Sequence, residues 1–280
     1  MGVVGAPAAA PMLRPVIFAR APDRAFFGVC ALLFAVSVAL TVVASATMSA
    51  MGGMPMSGGW TMSMAWTRMP GQTWPGVAAS FLGMWLVMMA AMMLPSLVPM
   101  LWRYRRAVGM PRAAPIGRLT ALVGAGYFFV WTACGVAVFP LGAALARTAM
   151  QLPALAQAVP VAIGVVVVLA GALQFTAWKA RHLACCRNTP GRERTLPVDP
   201  GTAWRHGLHL ARHCACCCVG LTAILLVVGV MDLRAMAMVA TATTVERFAA
   251  HGERASRAIG LAIVGVGLFL IARVAVSATA

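Results

Sequence analysis

Seven apolar stretches, near residues 25–46, 77–101, 119–144, 158–178, 213–231, 233–248 and 258–277, alternate with short polar segments along the chain. Most approach the ~20 residues that a helix needs to cross a bilayer core. A backbone inside lipid must satisfy its own hydrogen bonds, which such unbroken runs do as helices. The pattern predicts an all-α fold: a polytopic transmembrane helical bundle of about seven segments, with six as the second count. The stretch 233–248 is short and reads as a re-entrant helix, or as one that thins the bilayer around it. The organisation expected is an N-terminal segment over 1–24 and a single transmembrane helical domain over 25–280. The longest polar segments are an outer loop at 47–76 and an inner loop at 179–212. Both are too short to bury a separate core.

Composition agrees with the pattern, since 61% of residues are hydrophobic and only 10% charged, against roughly 25% charged in a soluble domain. Charge adds the orientation. With the N-terminus inside, the inner segments hold 18 of the 22 Lys and Arg residues, leaving Arg68, Arg147, Arg234 and Arg273 outside. That asymmetry follows the positive-inside rule. It predicts a multi-pass protein of the bacterial inner (cytoplasmic) membrane with a cytoplasmic N-terminal segment, surrounded by membrane lipid. The net charge of +16 is then a topology signal, and nucleic acid is not expected as a partner. Arg20 and Arg24 precede an apolar stretch ending in Ala44-Ser45-Ala46, which resembles a signal-peptide cleavage site. The stretch exceeds a usual signal core, so a retained anchor is the expectation.

Sulfur is the candidate chemistry. Fourteen of the twenty methionines fall between Met48 and Met110. The outer loop interleaves Met48, Met51, Met54, Met56, Met62, Met64 and Met69 with Gly, Ser and Trp, without the periodicity of a packed element. Thioethers are soft, neutral ligands that suit Cu(I), and methionine is equally a flexible apolar filler. In the following segment Met84, Met88 and Met92 step by four, and Met89 and Met93 repeat the step one residue along. Residues four apart share a helix face, so each register presents several sulfurs to one neighbour; core packing is the alternative reading. Pro95 is expected to break or kink the helix here and free backbone carbonyls.

Six of the eight cysteines cluster between Cys185 and Cys218. If the helix through Val219 begins near Arg212, Cys214, Cys217 and Cys218 share one face, with Cys216 pointing away. His182 and Cys186 are likewise four apart in the preceding inner segment, beside Cys185. Two sulfur-bearing helix ends on one side would supply three or four ligands to a soft metal. Arg181, Arg187 and Arg212 would favour the thiolate form. On the cytoplasmic side disulfides are disfavoured. Cys30 and Cys134, each alone in an apolar run, read as packing residues. Glu246 and Asp232 are carboxylates near hydrocarbon, expected to be paired or functional. For Glu246, Lys179 and Arg247 are the available partners. His206, His209 and His213 fall along one helical face and rank below the cysteines as ligands.

Three blocks carry a family likeness. Met84-Trp85 precedes Met88-Met89-Ala90-Ala91-Met92-Met93-Leu94-Pro95-Ser96. Gln174 to Lys179 precedes Cys185-Cys186-Arg187. Cys214 and Cys217-Cys218 precede Gly229-Val230-Met231-Asp232-Leu233, Met236 and Glu246-Arg247. Over roughly residues 77–250 the chain resembles the predicted metal-binding integral membrane proteins catalogued as domain of unknown function 2182, some of which are labelled copper chaperones. The family tends to carry cysteine where His182 stands and glycine where Cys216 stands. The resemblance implies metal handling and draws Met231 and Met236 into the candidate ligand set.

The reading is a membrane protein that binds and hands on soft metal, with Cu(I) as the expected ion, as a copper chaperone or transporter. Methionines would capture the ion and carry it along Met88, Met89, Met92 and Met93, and inner cysteines would hold it. A periplasmic or membrane cuproprotein is the expected partner. Membrane thiol-disulfide oxidoreductase, needing a redox-active cysteine pair near an oxidising compartment, and non-catalytic assembly subunit of a copper enzyme are the alternatives. No Gly-Lys-Ser/Thr phosphate loop occurs, which argues against an ATP-driven pump that uses one.

Overall fold

In the computed structural model, residues 21–68, 71–108, 114–187 and 198–279 are described. Arg14, Arg20, Met69, Met110 and part of the inner loop lie outside them. The chain forms α1 (Ala21–Ala50), a hairpin of β1 (Met54–Met56) and β2 (Trp60–Met62), then α2 (Trp74–Ala107), α3 (Ala114–Gln151) and α4 (Pro153–Leu173). It continues as α5 (Ala177–Arg187), α6 (Pro200–Val228), α7 (Leu233–Phe248) and α8 (Gly252–Thr279). The architecture is an all-α polytopic bundle. Six helices, α1 to α4, α6 and α8, are long and apolar enough to cross a membrane, with spans of 21 to 36 residues.

Among the described residues the count therefore falls at six membrane-length helices rather than seven. The seventh apolar stretch is α7, whose 16 residues rise only about 24 Å. Its ends are fixed locally: the Asp232 carboxylate caps it by accepting from the Arg234 and Ala235 amides at 2.8 and 2.9 Å. Asp232 thus satisfies backbone donors that would otherwise be orphaned. α6 also starts earlier than the sequence suggests, at Pro200 rather than near Arg212, because Asp199 caps it through the Thr202 amide at 2.9 Å. With proline at the first position, this is a strong start signal. Cys214, Cys217 and Cys218 consequently lie mid-helix, not at a helix end.

Within α2, Pro95 and Pro99 do not end the helix. The methionine-rich loop after α1 is not featureless either. β1 and β2 pair antiparallel with Met54 opposite Met62, Met62 is buried, and Trp60 Nε1 donates to the Ala156 carbonyl at 2.8 Å. Two turn glycines, Gly58 and Gly59, have positive φ, which lets so short a hairpin close.

The core is built by α2, α3, α6 and α7 with α5 packed against α6. Glycine sets how closely α3 and α6 approach. A Cβ on Gly207 would collide with the Val123 carbonyl, and one on Gly126 would lie 2.7 Å from the Trp204 carbonyl. Small residues at such crossings let backbones meet, which brings Tyr127 of α3 against Cys214 of α6. α4 and α8 pair through a second set of close approaches, Gly171 with Gly260 and Gly164 with Gly267. α1 flanks α2 and leaves Leu32, Leu33 and Val43 exposed, as a lipid-facing surface requires.

Candidate metal centre

Four thiols converge in the core. Cys186 of α5 and Cys214, Cys217 and Cys218 of α6 are all buried, within one contiguous cluster that also contains Met88, Met89, Met92, Met93 and Met236. Positions 214, 217 and 218 share a face of α6 because they step by three and four. Cys214 Sγ lies 3.9 Å from Met93 Sδ, so the second methionine register meets the cysteine face directly. The neighbouring Cys217 thiol, ahead of the opposing effect of burial and with help from Arg247 and Lys179, holds the Cys186 thiol below its ordinary pKa. Cys185 is exposed, and Cys216 is half-buried, so neither belongs to this group. Met231 is half-buried at the turn between α6 and α7, where its carbonyl accepts from Ser45 Oγ at 2.7 Å. His182 turns to His213, at 3.0 Å between their Nδ1 atoms.

The sulfurs are set in a buried polar frame. Arg247, 6% exposed, donates from Nη2 to Cys214 Sγ at 2.8 Å and to Cys218 Sγ at 3.4 Å, and from Nη1 to Ser96 Oγ at 2.7 Å. Ser96 in turn donates to the Met93 carbonyl at 2.9 Å. Tyr127 OH lies 2.9 Å from Cys214 Sγ. Beside this group, Lys179 Nζ donates at 2.7 Å to both Glu246 Oε2 and the Cys217 carbonyl. Lys179 therefore ties α5, α6 and α7 together, and Glu246 finds the lysine among the partners expected for it. Its Oε1 is buried without a hydrogen-bond partner among the described residues.

Arg247, Tyr127 and Ser96 are the site residues that pattern reasoning passes over. Arg247 counts in the sequence as one more inner-surface charge, whereas it is buried against thiols. The signal available was its adjacency to Glu246 in an otherwise uncharged helix turn, since an intramembrane charge is costly and marks function. Tyr127 is one of only two tyrosines in the chain, and nothing in its local sequence points at Cys214, 87 positions away.

A family model described as PpoB2, copper chaperone, matches residues 82–270. The chain belongs to that copper chaperone family. The matched region contains the whole sulfur group, from Met88 to Cys218, and its polar frame, from Ser96 to Arg247. Neither a curated protein nor a solved structure matches the chain. Family membership supports a copper-handling role, and the donors fit that cargo: four thiols and a thioether are soft ligands. Among the described residues, no three His, Cys, Asp or Glu side chains close as a cage around one ion. The cation facing Cys214 and Cys218 is instead the Arg247 guanidinium.

Proposed function

We propose that this protein is an inner-membrane copper chaperone that holds Cu(I) on Cys186, Cys214, Cys217 and Cys218, with Met93 as a thioether neighbour, and passes it to a cuproprotein partner. The observation that carries the reading is a buried group of four thiols in which Cys214 Sγ lies 3.9 Å from Met93 Sδ and the Arg247 guanidinium donates to Cys214 and Cys218. The guanidinium supplies positive charge to sulfurs awaiting an ion. A Cu(I) ion entering the site brings the same single charge, so loading exchanges one cation for another and Arg247 swings away from Cys214 and Cys218. Mixed thiolate and thioether donors suit Cu(I) over harder ions. Met88, Met89, Met92 and Met236, in the same buried cluster, line the approach from the outer side. The basic residues from Arg103 to Arg118 around the α2–α3 connection and from Lys179 to Arg212 around the α4–α6 connection support a cytoplasmic N-terminus. The chain carries no Gly-Lys-Ser/Thr phosphate loop, which argues against a pump that uses one.

The test is copper content of the full-length protein purified in detergent and loaded with Cu(I), with Cys214, Cys217 and Cys218 each changed to Ser. Each change is expected to lower retained copper, while Cys185→Ser leaves it intact. Unchanged copper in the three α6 variants would sink the site.

A further inference from the structure

Above the thiol group stands a second set of ligands built on the same two helices. His182 of α5 faces His213 of α6 at 3.0 Å between Nδ1 atoms, and His213 Nε2 lies 3.2 Å from His209 Nε2. Cys186 and Cys217, which also face each other, are each four residues further along the same helices. The imidazole pair and the thiol pair are thus stacked one turn apart, about 5–6 Å along the helix surface. His182 and His213 are half-buried and His209 is exposed, so the upper pair is not sealed in the protein core as the thiols are.

We propose that His182 and His213 form a separate site for a divalent ion of tetragonal preference, the class that includes Cu(II) and Ni(II), distinct from the thiol site and not dependent on it. The spacing is the first argument. Two nitrogens on one ion at ~2.0 Å each are ~2.8 Å apart at a right angle and ~3.3 Å apart at a tetrahedral angle, and the observed 3.0 Å falls between them. The tautomer is the second. With the His213 proton on Nε2 and donated to His209 Nε2, the Nδ1 lone pair of His213 is left facing His182. The His182 proton on its own Nε2 then frees the second lone pair. Orienting a ligating imidazole through its other ring nitrogen is the usual outer-sphere device, so His209 is a positioning residue. Two imidazoles with water completing the shell form a nitrogen and oxygen set suited to such an ion, in contrast to the soft donors below. A third protein donor is not needed, since water completes the shell. Without metal, the same gap is closed by one imidazole donating to the other.

Ni(II) is the probe, because it does not oxidise thiols. Calorimetric titration of the full-length protein in detergent is expected to show one Ni(II) bound. His182→Gln and His213→Gln, each checked for unchanged gel-filtration elution, abolish it. His209→Ala weakens it by roughly tenfold. Cys218→Ser, which disables the thiol site, leaves it unchanged. Absence of Ni(II) binding in the native chain overturns the proposal, as does binding that survives in whichever histidine variant folds or that disappears with Cys218→Ser. Failure of the thiol site alone appears only in the Cu(I) measurement.

Discussion

Replacing Lys179 by Met removes the ammonium that lies 2.7 Å from Glu246 Oε2 and from the Cys217 carbonyl. Both members of the pair are buried, with side chains 4% and 1% exposed. Removing one partner of such a pair costs about 3–5 kcal/mol, because the remaining charge has lost its compensation. Glu246 has little to fall back on, since its Oε1 already lacks a hydrogen-bond partner. Protonation limits the loss: neutralising a carboxyl of ordinary pKa near 4.3 at pH 7 costs roughly 4 kcal/mol at 1.36 kcal/mol per unit. The expected destabilisation of Lys179→Met is therefore about 3–4 kcal/mol at pH 7. It shrinks toward ~1 kcal/mol at pH 5, where the proton is nearly free to bind. A Lys179→Met, Glu246→Leu double variant recovers most of the loss, as apolar replacement of a whole buried pair is often neutral. Equilibrium unfolding in mixed micelles, followed by the fluorescence of the eight tryptophans, reads all three chains. A single-variant cost below ~1 kcal/mol, or a double variant no better than the single, would refute this account of the ion pair.

Gly207→Ala places a methyl against the Val123 carbonyl, and the same unfolding assay should report a loss of about 1–3 kcal/mol, the usual cost of overpacking. Because Gly207 sets the crossing that brings Tyr127 to Cys214, this variant is also expected to retain less Cu(I). Trp60→Phe removes the indole donor to Ala156, at about 1 kcal/mol. It should speed proteolytic cleavage in the hairpin segment 51–66 while leaving copper content unchanged.

Much of the site could be read along single helices. The i, i+3, i+4 spacing of Cys214, Cys217 and Cys218 and the four-residue steps of the methionines follow from helical periodicity, and the pairing of Glu246 with a basic residue follows from the cost of a carboxylate near hydrocarbon. What misled was local context. The polar turn around Arg212 looks like a helix boundary, yet the stronger start signal is the Asp199-Pro200 pair twelve residues earlier, and the cysteines therefore lie mid-helix. Counted by sign alone, Arg247 belongs to the inner surface. Its burial depends on what α7 packs against, which no local pattern contains.

The sequence by itself determined that the chain is a membrane-spanning helical bundle, because apolar length and self-satisfied backbone bonds leave no other solution in lipid. It also determined that soft sulfur is the chemistry on offer. Only tertiary structure decided which sulfurs meet. Cys186 joins Cys217, Met93 joins Cys214, and Cys185 stays outside, because glycine-mediated helix crossings and the Lys179 tie choose neighbours from distant parts of the chain. The same packing set the Arg247 guanidinium against Cys214 and Cys218 and lined up His182 with His213. Periodicity assigns a residue to a face, whereas partners are chosen by how the faces dock.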